Sequence, residues 1–138
     1  MKNWKAKICL VSLVWLVLLV GCARLEPGTN SLIVRAEQTQ AVGLATFDLV
    51  LGIDNASRDF YRTNAPAFHS FCEWLRKPVQ IEDGKTLPAS LALLHNLDQV
   101  KLAYSKSQVS SNVLASTLAT LSVTLDQANH WILTIKKP

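Results

Sequence analysis

Leu114, Leu118, Leu121, Leu125, Ala128, Ile132 and Ile135 follow one another at steps of three and four residues. That spacing keeps all seven on one side of an α-helix for about six turns, whereas a strand would scatter them over both faces. A helix that is apolar along one side must bury that side against another element. The rest of the chain is therefore read for partners to this stripe.

Candidates lie upstream. No proline interrupts Ser31 to Thr63, and Ile33, Ala36, Gln40, Leu44, Phe47 and Leu51 recur at helical steps, with Val50, Ile53 and Phe60 widening the face. Asn30 or Ser31 can cap the start, and Gly43 and Gly52 weaken the helix without ending it. Asn64-Ala65 before Pro66 is disfavoured as helix, and Pro66 suits a first helical turn. A short helix is expected from Pro66 to Lys77, with Phe68, Phe71, Cys72 and Leu75 on one side, stopped by Lys77-Pro78. Glu82-Asp83-Gly84-Lys85 is a turn signal. A third long helix runs from Leu87 to about Ser105, with Pro88 in its first turn and Leu93, Leu97, Val100 and Tyr104 inward, flanked by Leu94. The serine-rich break from Ser105 to Ser111 precedes the last helix. No segment alternates with period two over a strand length. The expected fold is all-α: an up-and-down bundle of three long helices and one short one over residues 31–138.

The other end of the chain has a different character. Lys2, Lys5 and Lys7 precede an unbroken 13-residue run from Ile8 to Val20 without a charge. At about 1.5 Å per residue that run spans ~20 Å as a helix, short of a hydrocarbon core of about 30 Å. A basic start, an apolar run of this length and a small residue before the cut describe an export signal. The step Leu19-Val20-Gly21-Cys22 resembles the lipobox of bacterial lipoproteins; the competing reading is an ordinary signal peptide or signal anchor that contains Cys22. The resemblance implies that residues 1–21 are a cleaved leader and that Cys22 carries a diacylglycerol on sulfur and an acyl chain such as palmitate on its new amino terminus. Residues 22–30, with Pro27 and Gly28, are then a tether to the folded part. The implied location is the cell membrane, lipid-anchored and periplasm-facing. Ala23 after the cysteine favours the outer membrane of a Gram-negative host, by similarity to enterobacterial sorting.

Cleavage also changes the charge. Three of the 14 basic residues leave with the leader while all 10 acidic ones stay, so the net charge falls from +4 to +1. With no basic stripe and no basic run longer than Lys136-Lys137, nucleic acid is not an expected partner. Cys9 leaves with the leader and Cys22 is lipidated, so Cys72 remains alone, either buried and inert or bridging two protomers. Zinc sites needing two cysteines of one chain are excluded by count.

A second resemblance covers most of the remaining chain, Ile33 to Trp131. Ala36-Glu37, Thr46-Phe47-Asp48, Leu51, Asp54 and Arg58, followed by Pro66, His69, Phe71 and Arg76, are similar to motifs of a largely uncharacterised group of small helical proteins of phages and bacteria. Cys72-Glu73-Trp74 departs from that pattern, where smaller or more polar residues are expected. The resemblance implies a helical fold and a phage or prophage origin, and it lends no reaction.

Constellations that could carry chemistry are few. His69, His95 and His130 fall on three different helices, and no Gly-x-Ser-x-Gly elbow is present, so a nucleophile with a positioned base is not marked. His69 and Glu73 stand four apart, a spacing that can place two ligands on one metal, but the sequence marks no third; the expectation is no metal, no cofactor and no catalytic residue. Asp48, Asp54, Arg58, His69 and Arg76 are expected instead to form a structural polar cluster that fixes the register of the first two helices. In it Asp48 is half-buried and Asp54 pairs with Arg58 four residues on. The rival is an enzyme site made of Asp48, Asp54 and His69. Trp74 and Trp131 sit at the edge of the core or form a contact patch for a partner or the lipid headgroups. The resulting reading is a non-enzymatic membrane lipoprotein whose helical domain binds or scaffolds an envelope protein, its oligomeric state open. The alternative is a phage-encoded accessory lipoprotein acting on the host envelope in lysis or superinfection exclusion.

Overall fold

The computed structural model describes residues 30–138. The expected leader, Cys22 and the tether up to residue 29 lie outside the described residues. From Leu32 to Pro138 the chain forms one compact unit, mostly helical. The described residues contain five helices, α1 (Ser31–Ala56), α2 (Arg58–Asn64), α3 (Pro66–Arg76), α4 (Ala89–Ser105) and α5 (Ser111–Thr134), with strands β1 (Pro78–Gln80) and β2 (Thr86–Pro88) between α3 and α4.

Two features differ from the sequence expectation. The single helix expected over Ser31 to Thr63 is broken at Ser57, whose φ of −149° and ψ of 49° are not helical. Asp54, Asn55 and Ser57 are residues whose short polar side chains compete with the helix for backbone groups, and they fall just where the helix stops. The second break, at Ala65 before Pro66, is where the sequence places it. The stretch after α3 is an antiparallel hairpin with Val79 opposite Leu87. Its tip turns at Gly84, whose φ of 73° suits a residue without Cβ. Three-residue strands are too short to show an alternation. Pro88 closes β2, and α4 starts at Ala89, two residues after the expected start at Leu87.

The long helices meet at a glycine. A Cβ on Gly43 of α1 would stand 2.8 Å from Cδ2 of Leu94 on α4 and 3.7 Å from Leu125 on α5, so all three approach closely there. Lys101, further along α4, reaches back to Glu37 near the start of α1 at 4.0 Å, which makes α4 run opposite to α1. α5 returns after the short turn at 106–110, and its Trp131 reaches Phe68 of α3 with ring centroids 5.8 Å apart.

The last stripe is buried as read: Leu114, Leu118, Leu121, Leu125 and Ala128 are inside, and Ile132 and Ile135 pack partly against them. In α4 the inward line is Leu94 and Leu97, with Leu93, Val100 and Tyr104 only partly covered. α1 is rotated from the expected face. Its buried line is Ala36, Gly43, Thr46, Phe47, Val50 and Asp54, while Leu44 is 47% exposed. Turning Gly43 inward admits Leu94 and Leu125 and carries Leu44 outward. No helix among the described residues is long and apolar enough to cross a membrane.

Packing of this kind sets clear costs. Leu118→Ala should lower unfolding stability by about 2–5 kcal/mol. Gly43→Leu should lower it by about 1–3 kcal/mol through overpacking, despite the better helix former. Gly52 faces open space on the same helix, so Gly52→Ala should raise stability by about 0.5–1 kcal/mol. Urea denaturation of the three variants checks all three signs.

Candidate functional site

Two breaks in the helix, at Ser57 and Ala65, bring the polar residues together where α1 ends. Asp54 and Asn55 stand in the last turn of α1. His69, Glu73 and Arg76 succeed one another along α3, close to one helical face. Arg58 opens α2. The Asp54 side chain is wholly buried. Its Oδ2 accepts a bond from Arg76 Nη1 at 2.7 Å, and its Oδ1 lies 2.9 Å from His69 Nδ1. A carboxylate already held by a guanidinium can only accept, so Nδ1 bears a hydrogen and donates it. Arg76 is nearly saturated. Nη1 also donates to Glu73 Oε1 at 2.9 Å, and Nη2 donates to Asn55 Oδ1 at 2.7 Å and to the Leu51 carbonyl at 3.3 Å. Arg58 Nη2 completes the set on Glu73 Oε1.

Burial of this charge perturbs its neighbours. Burial depresses the Arg76 pKa, but the hydrogen bond and charge of Asp54 outweigh it and leave the guanidinium above its ordinary value. Burial first, and the Asp54 charge second, hold the Tyr61 hydroxyl above its usual range. The same two causes push the Cys72 thiol up to about 12. Cys72 is fully buried, with Sγ 3.8 Å from the Val50 carbonyl. Reactive cysteines need the opposite environment, exposed and electropositive. Of the two fates open to Cys72, the fold shows the packed thiol.

Of the five residues expected to cluster, Asp54, Arg58, His69 and Arg76 do and Asp48 does not. With Thr46, Phe47 and Val50 turned inward, Asp48 faces solvent, so it neither joins the clamp nor meets Asp54 and His69 in a site. Arg58 is also redirected. The break at Ser57 takes it off the helix that carries Asp54, and its partner is Glu73 on α3. Glu73 and Asn55 are members the sequence reading did not place in the cluster. Glu73 was legible through its spacing from His69 and Arg76; Asn55, one residue past Asp54, carried no such signal. His95 and His130 lie elsewhere, His130 against the Trp131 ring. Trp131 is half-buried at the edge of the core, and its Nε1 is buried without a hydrogen-bond partner. Trp74 stacks on Phe71 and is 44% exposed.

The cluster ties α1 to α3 through buried charge, and it also gathers one imidazole and two carboxylates. No family model, no curated protein and no solved structure matches the chain.

Removing one partner of a buried pair strands the other. Asp54→Asn should therefore cost on the order of 3–5 kcal/mol, whereas Asp48→Asn, an exposed change, should stay within about 0.5 kcal/mol of wild type. Thermal melting of the two variants separates them. The raised thiol adds a pH dependence. The folded chain keeps the Cys72 proton that an unfolded thiol releases above about 9, so stability is fully present below pH 9 and is lost as pH rises from 9 through about 12. Tyr61 acts in the same direction from its ordinary value of 10.0 upward. Melting temperature should fall over this range, and Cys72→Ala should make the fall shallower.

Proposed function

We propose that this chain is a bacterial lipoprotein, anchored through an acylated Cys22, whose up-and-down helical unit works by binding or scaffolding an envelope protein and not by catalysis. The observation that carries the reading is the leader: three lysines, 13 uncharged residues from Ile8 to Val20, and the Leu19-Val20-Gly21-Cys22 step. Two or three acyl chains at one cysteine exceed the marginal membrane binding of a single chain. Two further observations support a binding role. Arg76, Arg58 and His69 spend their donors on Asp54, Glu73, Asn55 and a backbone carbonyl, an arrangement that serves the docking of α3 on α1. Meanwhile Val42, Leu49 and Trp74 are apolar side chains left outside the core and open to a protein partner.

Radiolabelled palmitate tests the anchor. Wild-type chain should label and run at the processed size, while Cys22→Ser should neither label nor be cut. Normal labelling and processing of that variant would end the lipoprotein reading. Fractionation should place the labelled chain in the outer membrane of a Gram-negative host, because Ala23 rather than an aspartate follows the cysteine.

A further inference from the structure

Folding supplies the third ligand that the His69–Glu73 spacing lacks. Asp54 comes from α1, His69 and Glu73 from α3, and one ligating atom of each lies within 4.8 Å of the other two. His69 Nδ1 and Asp54 Oδ1 are 2.9 Å apart. Two atoms at that separation, each bonded at about 2.1 Å to one metal, subtend close to 90°, the angle between neighbouring positions of an octahedral site. The wholly buried Asp54 carboxylate cannot swing away, since Arg76 fixes its other oxygen. Both guanidiniums that touch Glu73 do so through Oε1, so the carboxylate keeps lone pairs for a third bond.

We propose that Asp54, His69 and Glu73 form a site for a first-row divalent transition metal, in which the ion replaces the proton now shared by His69 and Asp54. The ligands would be His69 Nδ1, Asp54 Oδ1 and one carboxylate oxygen of Glu73, with water in the remaining positions. One imidazole with two carboxylates suits zinc or manganese better than calcium, which takes oxygen alone. Protons balance without acid or base. Nδ1 gives up its hydrogen to water as the ion bonds it, and Nε2 carries the ring hydrogen in the bound form, taking it from water where the ring starts as the Nδ1–H tautomer. Arg76 then holds Asp54 from behind in the role that outer-shell partners play in metal sites. Arg58 and Arg76 both place charge on the Glu73 carboxylate and so oppose the ion. Arg58, however, is half exposed and contributes little to the fold, so it can be removed on its own. The inference goes beyond the lipoprotein reading and does not depend on it.

Nitrogen-15 imidazole spectra of the full chain in detergent, titrated with zinc chloride, give the direct test. His69 should begin as the Nδ1–H tautomer and end as the Nε2–H tautomer with Nδ1 metal-bound, while His95 and His130 keep their shifts. Competition with a chromophoric chelator should then show affinity falling at least about 10-fold in Glu73→Gln and rising about 2- to 5-fold in Arg58→Gln. No inversion at His69 up to millimolar zinc overturns the proposal. So does zinc binding that Glu73→Gln leaves unchanged or that shifts only His95 or His130. The tautomer readout uses wild-type protein, so the result does not depend on a His69 variant that folds.

Discussion

A carboxylate with no access to water sets the terms for the first half of the molecule. Asp54 can remain charged inside the fold only while Arg76 and His69 reach it, because an uncompensated buried charge costs several kcal/mol. Both partners stand on α3, so α3 must lie along the end of α1. For that the chain has to reverse between Ala56 and Pro66. The break at Ser57 and the pre-proline corner at Ala65 are the reversal, and α2 is the length of helix between them. The apolar residues agree with this demand. Phe68, Phe71, Cys72 and Leu75 are buried on α3, and Tyr61 of α2 packs edge-on against Phe68 with ring centroids 4.9 Å apart.

The second half rests on shape more than on charge. α4 and α5 carry few ionic ties to the rest, the Lys101–Glu37 contact being long, with its carboxylate mostly exposed. Leu94, Leu97 and the leucine stripe of α5 close on α1 instead, around the space that Gly43 leaves. The two halves thus fail in different ways. A lost methyl group in the second leaves a cavity, and a lost charge in the first leaves its partner unpaired.

How much of this is legible in the sequence follows from the same division. The α5 stripe reads directly because every apolar residue in it faces one way for six turns. α1 misleads because it is apolar nearly all round: Leu44 and Leu49 are about as hydrophobic as Phe47 and Val50 yet remain outside. Its true orientation is decided by a close approach at Gly43, and a count of apolar residues cannot register the absence of a side chain. Asp48 and Asp54 illustrate the same blindness among charges. Both sit beside apolar residues of α1, and only the rotation of that helix determines which is buried. The hairpin is hidden by its brevity. Arg76 and His69 were recognisable as partners for an acid of α1. Arg58 was recognisable as a member of the cluster but not as the partner of Glu73, since that pairing requires the helix to end at Ala56.

Cys72 lies in the seam between α1 and α3, sealed under Val50 and one helical turn from His69. No reagent reaches its sulfur while that seam is closed. The thiol is therefore a clock for the docking of α3: a modifying reagent in excess will consume it at the rate at which the two helices part, and that rate measures how often the buried carboxylate meets water. Local opening of one seam can thus be timed in a molecule that is otherwise intact, through a residue the chain already carries.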